Sequence, residues 1–173
     1  MPFRPAAPED LDALAAFHLR LWGLTYGDIA PAGIARTLTP EVRRDRWRAK
    51  LAAPDPGVWL EDDAAMAEGL AGFVAVGPPG HPAFGARGEV KHLFVDPQAR
   101  GRGLGAALLG HGFGLLAAAG FPAPALAVVE ENTAARGFYA AQGGRETGRF
   151  TDPGPVWRSR NVLVTWDAAP ATL

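Results

Sequence analysis

The chain has 173 residues, 48% of them apolar, with a formal net charge of −1. That length supports one domain with its own core, expected to span residues 1–173. The near-neutral balance offers no long-range attraction to nucleic acid or to an anionic membrane. Cysteine is absent, which excludes disulfides, thiolate metal sites and a cysteine nucleophile together.

The four histidines, His18, His81, His92 and His111, show no metal-ligand spacing, so no metal is expected. Pro8, Glu9, Asp10 and Asp12 stand at the head of the first apolar-rich stretch, unlike the basic start of a signal peptide. No run reaches the roughly 18 uninterrupted apolar residues of a membrane span. A cytoplasmic location is expected.

Pro8 to Trp22 opens with proline and acids and then places Leu11, Leu14, Ala15, His18, Leu19 and Trp22 at helical spacing. Thr39-Pro40-Glu41 starts a second helix with Val42, Trp47 and Leu51 on its apolar side. Val58 to Glu61 and Ala71 to Gly77 read as strands, with the acidic triplet Glu61-Asp62-Asp63 as a solvated turn. Pro78 to Gly88 is too rich in proline and glycine for regular structure and forms a long loop, a length often tied to function.

Glu89 to Val95 follows as a strand, and a helix runs from near Gly103 to about Gly120. Ala125 to Val129 is a buried strand, Asn132 to Gln142 a helix stopped by Gly143-Gly144, and Arg145 to Thr151 and Val156 to Trp166 are the last strands. Strand, helix, strand, helix, strand implies an α/β arrangement of the α+β type with at least one parallel strand pair.

Between the strand ending at Val95 and the following helix lies VDPQARGRGLGAALL. Its turn leaves backbone N–H groups at a helix N-terminus, where the helix dipole favours negative charge. Gly101, Gly103 and Gly105 keep side chains off that backbone, and Arg100 and Arg102 add charge-assisted donors. An isolated G-x-G is also compatible with a plain flexible turn. A P-loop needs Lys and Ser/Thr after its last glycine, where Ala106 and Ala107 stand. A dinucleotide fingerprint fits Gly101 to Ala106 by letter, but its glycines should directly follow the strand, and too little chain remains for a doubly wound sheet at roughly 30 residues per crossover unit.

Arg100-Gly101-Arg102-Gly103-Leu104-Gly105 resembles the Q/R-x-x-G-x-G/A motif of the GNAT N-acetyltransferase superfamily. Downstream, NTAARGFYAAQG from Asn132 to Gly143 is similar to its N-x-x-A-x-x-F-Y-x-x-x-G helix. The clear likeness covers about Glu89 to Gly144, with weaker likeness around Trp22, Tyr26, Asp28 and Trp47. The resemblance implies a single GNAT-like domain: a mixed central sheet with a splayed parallel strand pair and helices on both faces.

It also implies acetyl-CoA as acyl donor, held by the backbone of Leu93, Phe94 and Val95. Arg100, Gly101, Arg102, Gly103, Leu104, Gly105 and Ala106 then take the pyrophosphate, and Asn132 adds a cofactor contact beyond its N-cap role. The function implied is transfer of an acetyl group to a primary amine by direct attack in a ternary complex.

An amine of pKa about 10.4 must lose a proton to attack, at roughly 1.36 kcal/mol per pH unit, so a base is valuable. Glu89, where many family members carry a catalytic glutamate, is the candidate general base, directly or through water, against the reading of a solvated strand-end acid. His92 is second, against a packed histidine. Tyr139, at the family's tyrosine position, is the candidate general acid for the thiolate, against a core residue; Phe138 is read as core. The acceptor pocket is expected near Trp22, Tyr26, the Pro78 to Gly88 loop and the Val156 to Trp166 strand, with Trp22 itself read as core. The partner is a small-molecule or peptide amine, with a monomer or a homodimer open. The alternative reading is a non-catalytic acyl-CoA-binding sensor.

Overall fold

A computed structural model of the chain describes residues 2–53, 55 and 57–167. In chain order the elements are β1 (Arg4–Pro5), α1 (Leu11–Tyr26), α2 (Ile34–Thr37), α3 (Pro40–Leu51), β2 (Val58–Asp62), β3 (Leu70–Gly77), β4 (Gly88–Val95), α4 (Leu104–Ala118), β5 (Pro124–Val129), α5 (Thr133–Ala141), β6 (Arg145–Asp152) and β7 (Ser159–Thr165). The strands form one seven-stranded sheet in the order β1-β2-β3-β4-β5-β7-β6. β4 and β5 are its parallel pair, whose register holds Gly88 opposite Pro124 and Glu89 opposite Ala125. The pairs β1-β2, β2-β3, β5-β7 and β6-β7 are antiparallel.

The chain falls into two compact units, Met1–Ala75 with His92–Leu108, and Val76–Lys91 with Leu109–Leu173. In the first unit, Leu14, Phe17 and Leu21 of α1 recur at helical spacing and pack with Trp47 and Leu51 of α3, Leu60 of β2 and Phe73 of β3. Thr39 caps α3, its Oγ1 accepting from the Val42 amide at 3.3 Å, with Pro40 at the first helical position where a missing N–H costs nothing. β3 reads LAGFVAVG and is buried from Leu70 to Val76, the unbroken apolar run of a central strand. In the second unit, Phe84, Ala125 and Leu163 form a core cluster, and the rings of Phe113 and Trp166 lie 4.8 Å apart.

The expected elements are present, with four differences. β1 and α2 are too short to show a hydrophobic period and were not expected. β2 runs one residue further than expected, so Asp62 belongs to it rather than to a turn and forms an ion pair with Arg4, which also reaches Asp10. The last strand begins at Ser159 rather than Val156. Pro82–Phe84 makes a 3-10 turn inside the long loop. Conversely, α4 runs unbroken through Gly110, Gly112 and Gly114 despite their poor helix propensity, because Leu108, Leu109, Phe113 and Leu116 bury its apolar side.

His18 lies in the first unit with 2% of its surface exposed, ringed by Trp47, Phe73, His92 and Phe94. Trp47 Nε1 donates to His18 Nδ1 at 3.1 Å, which assigns the histidine proton to Nε2. Burial, with His92, Arg43 and Arg46 adding repulsion, holds its pKa well below the usual 6.5. The folded chain therefore keeps His18 neutral where the unfolded chain would protonate it. Stability from this group is complete above about pH 6.5 and falls as pH drops, by up to about 1.4 kcal/mol per pH unit. Urea unfolding between about pH 7.5 and 5.5 should show this slope in the wild type and a shallower one in His18→Gln. Equal slopes would remove His18 as the cause.

Candidate active site

The geometry begins where β4 ends. Asp96 is buried, with Oδ1 accepting from the Gln98 amide at 2.8 Å and Oδ2 from Arg20 Nη2 at 2.8 Å. Arg20, on α1, also holds Glu68 through two bonds of 2.9 and 2.6 Å. Burial alone would raise the Asp96 pKa, but the Gln98 amide and Arg20 hold it below the usual carboxylate range. The Asp96 amide donates to the Ala71 carbonyl of β3 at 2.9 Å. The loop is thus fixed at its first residue by its side chain and its backbone together.

Beyond a 3-10 turn at Pro97–Ala99, Gly101 and Gly103 adopt φ of 75° and 80°, the left-handed region that glycine enters without strain. Among the described residues, no backbone N–H from residue 101 to 106 donates a hydrogen bond. The Gly103 carbonyl already accepts from the Ala107 amide at 3.0 Å, so these donors stand at the start of α4. Arg102 is exposed and has no partner among the described residues. Arg100 is exposed and its Nε donates to the Val95 carbonyl at 3.2 Å. The donor set suits a multiply charged anion, and a pyrophosphate matches its span of consecutive amides and two guanidinium groups.

Leu93, Phe94 and Val95 close β4 and are half-buried. A Cβ at Gly72 would stand 2.8 Å from the Phe94 carbonyl oxygen, so Gly72 lets β3 approach that carbonyl. Backbone groups alternate sides along a strand, so those of Leu93 and Val95 face away from β3. His92 lies against His18 and Trp47, with ring centroids at 4.7 and 5.8 Å.

In the second unit, Glu89 sits near the start of β4. Its Oε2 accepts from the Gly80 amide and from Lys91 Nζ, each at 2.7 Å, while Oε1 has no partner among the described residues. Glu89 and Lys91 line a cavity of about 220 Å³ with Gly80, His81, Phe150 and Asp152. The His81 and Phe150 rings stack at 4.3 Å and form its flat wall. Asn132 caps α5, its Oδ1 accepting from the Ala135 amide at 3.2 Å. Tyr139 is buried on α5 with its ring edge-on to Trp166 at 6.3 Å.

The structure therefore groups Leu93 to Val95 with residues 100–106 in the first unit, and places Glu89, Asn132 and Tyr139 in the second. The loop expected to shape an acceptor pocket does line a cavity, with β6 supplying Phe150 and Asp152. Trp22, read as core, is buried and packs on Tyr26 at 5.4 Å. Sequence reasoning missed Arg20, Glu68, Asp96 and Lys91. Lys91 was within reach, because residues two apart on a strand share a face and Glu89 and Lys91 are so spaced. Asp96 carried the signal of an Asp-Pro turn; Arg20 carried none.

A mixed sheet with the parallel pair β4-β5, and an anion-receptive loop between β4 and α4, fit the class of acyl-CoA-dependent acyltransferases. Within that class the chain belongs to the Acetyltransferase (GNAT) family, whose model matches residues 25–143, and acetyl-CoA-dependent acetylation is that family's activity. An uncharacterized N-acetyltransferase, YuaI, of Bacillus subtilis (strain 168) is 28% identical over 129 residues, 75% of this chain and 72% of that protein. A mycothiol acetyltransferase of Geodermatophilus obscurus is 33% identical over 138 residues, 65% of this chain and 45% of that longer protein. The PaiA N-acetyltransferase of Thermoplasma acidophilum, solved with coenzyme A, shares the fold with a TM-score of 0.72 at 15% identity, covering 95% of this chain and 96% of that one. Among the described residues no helix is long and apolar enough to cross a membrane, and no group of histidine and acidic side chains is placed to hold a metal ion.

Gly103→Val tests the loop. A β-branched side chain is strained at φ 80° and would re-aim the neighbouring amides. Losing one hydrogen bond to a charged group costs about 1.5–3 kcal/mol, so coenzyme A affinity by calorimetry should fall at least about tenfold, with the variant still folded but melting a few degrees lower because of the strained backbone. Unchanged affinity would sink the assignment.

Proposed function

We propose that the protein transfers the acetyl group of acetyl-CoA to a primary amine by direct attack in a ternary complex. The observation that carries this reading is the row of backbone N–H groups from residue 101 to 106 that have no acceptor among the described residues, at the start of α4 and beside Arg100 and Arg102. Those amides and the two arginines hold the pyrophosphate. The outward backbone groups of Leu93 and Val95 align the pantetheine, while the Phe94 carbonyl lies against Gly72 of β3. Asn132 keeps the start of α5 in place and offers its side-chain amide to the cofactor. When bound, acetyl-CoA supplies the activated thioester.

Glu89 is the general base. Gly80 and Lys91 fix its Oε2, and Oε1 remains to accept a proton from the acceptor ammonium or from an intervening water. The cavity beside it receives the acceptor, whose nonpolar part lies against the His81 and Phe150 rings. Tyr139 is the general acid, its hydroxyl donating to the departing sulfur without first losing its proton. His92 is set aside as base because its ring is committed to the aromatic cluster around His18 and Trp47. With no cysteine in the chain, an acyl-cysteine intermediate has no place in the sequence of steps.

Thiol release with acetyl-CoA and a panel of primary amines tests the reading; cofactor binding without release for any amine would leave only a sensor. Tyr139→Phe should lower kcat by about 100-fold or more with little change in cofactor affinity, since general acid catalysis contributes about that much. Equal rates would remove the acid role. Glu89→Gln should abolish the acidic limb of the kcat/KM pH profile, and a profile that keeps its limb would place the base elsewhere.

A further inference from the structure

We propose that Lys91 is itself an acceptor, and that the chain acetylates this one side chain when given acetyl-CoA without a competing amine. The inference rests on the N-acetyltransferase reading and on Glu89 as base. Lys91 Nζ donates to Glu89 Oε2 at 2.7 Å, the arrangement that a bound ammonium substrate and its base adopt before proton transfer. Both side chains line the same cavity and remain open, at 27% and 16% exposure. The Gly80 amide, 2.7 Å from the same oxygen, fixes the carboxylate against the amine.

Residue choice points the same way. The basic residues number 17, and only Lys50 and Lys91 among them are lysines. The ion pairs of Asp10, Asp62, Glu68, Asp96, Glu130 and Glu146 all use arginine. A guanidinium would bind a carboxylate more rigidly through two nitrogens but cannot be deprotonated in a protein, and so cannot attack a thioester. At Glu89 the chain instead carries a group that becomes a nucleophile on losing a proton. Because this amine is already on the chain, it reacts without the entropy loss of bringing in a separate acceptor.

In the step, the Lys91 ammonium gives a proton to Glu89, and the freed Nζ lone pair attacks the carbonyl carbon of acetyl-CoA. The carbon–nitrogen bond forms and the carbon–sulfur bond breaks. Of the two protons the nitrogen sheds, one ends on the coenzyme A thiol and the other in solvent. The product is a neutral Nζ-acetyl-lysine that no longer pairs with Glu89.

Purified full-length protein incubated with acetyl-CoA alone, cleaved after acidic residues and read by peptide mass spectrometry, tests this. Acetyl groups should accumulate at Lys91 ahead of Lys50, with a first-order rate independent of protein concentration. Glu89→Gln should slow the reaction at Lys91 by about 100-fold or more without affecting Lys50, and Lys91→Arg should abolish the fast phase. Circular dichroism and melting confirm that each variant folds. Lys91 unmodified while free amines are acetylated overturns the inference and leaves the function standing. Equal labelling of both lysines, insensitive to Glu89→Gln, marks background chemistry and also overturns it. No labelling and no thiol release with any amine overturns both readings.

Discussion

The carboxylate of Asp96 is the constraint on which the glycine loop after β4 depends. A buried carboxylate must be paired, and here Arg20 from α1 and the Gln98 amide pair it, while the Asp96 backbone holds to Ala71. These contacts set where β4 stops and the loop begins. From that fixed point two left-handed glycines bring successive amides to the start of α4. Without the anchor the same glycines would let the loop sample many conformations, and aligning its amides for an anion would cost about 1–2 kcal/mol per residue ordered. Arg20 therefore supports the loop by pre-organising it, although it lies on a helix far from the motif in sequence.

Two sets of unsatisfied donors in the first unit differ in kind. The amides of residues 101–106 lie mostly in an exposed loop, where water satisfies them until a ligand does. Arg43, on α3, is 5% exposed, and its Nε and Nη2 have no acceptor among the described residues. Its Nη1 faces His18 Nδ1 at 3.5 Å, and burial, with Arg46 nearby, pushes its pKa down to about 10. A buried cation without a counter-ion costs several kcal/mol, whereas solvated amides cost little. The first set is thus suited to binding. The second weakens the fold, and the dense aromatic packing around His18 and Trp47 offsets it.

What the sequence made legible was local. The glycine spacing, the arginines beside it and the NTAARGFYAAQG helix each encode a backbone geometry within a few residues, so the glycine loop, its helix and the order of the central elements could be read directly. What it left unread depends on distant pairs. Nothing in the residues around Arg20 announces that it meets Glu68 and Asp96, and nothing near Phe150 announces that it stacks on His81. β1 and α2 were missed because two and four residues hold no hydrophobic period. The glycine-rich α4 shows the reverse case, where tertiary burial of Leu108, Phe113 and Leu116 overrides local propensity.

The same distinction explains why the acceptor is harder to read than the donor. A pyrophosphate is recognised by backbone, which a short motif can specify. In the proposed site an amine would be recognised by the side chains that the long loop and β6 bring around Glu89, and these carry both signs, Lys91 and Asp152, beside an aromatic wall. On the proposed reading an incoming ammonium shares Glu89 with Lys91, taking Oε1 while Oε2 stays tied. Small differences in how an acceptor's remaining atoms meet Asp152, His81 and Phe150 then decide whether its nitrogen is held close enough to lose a proton. If the proposed reaction holds, acceptor selectivity is set by the second unit's loop and edge strand, while the first unit's glycine loop takes the donor.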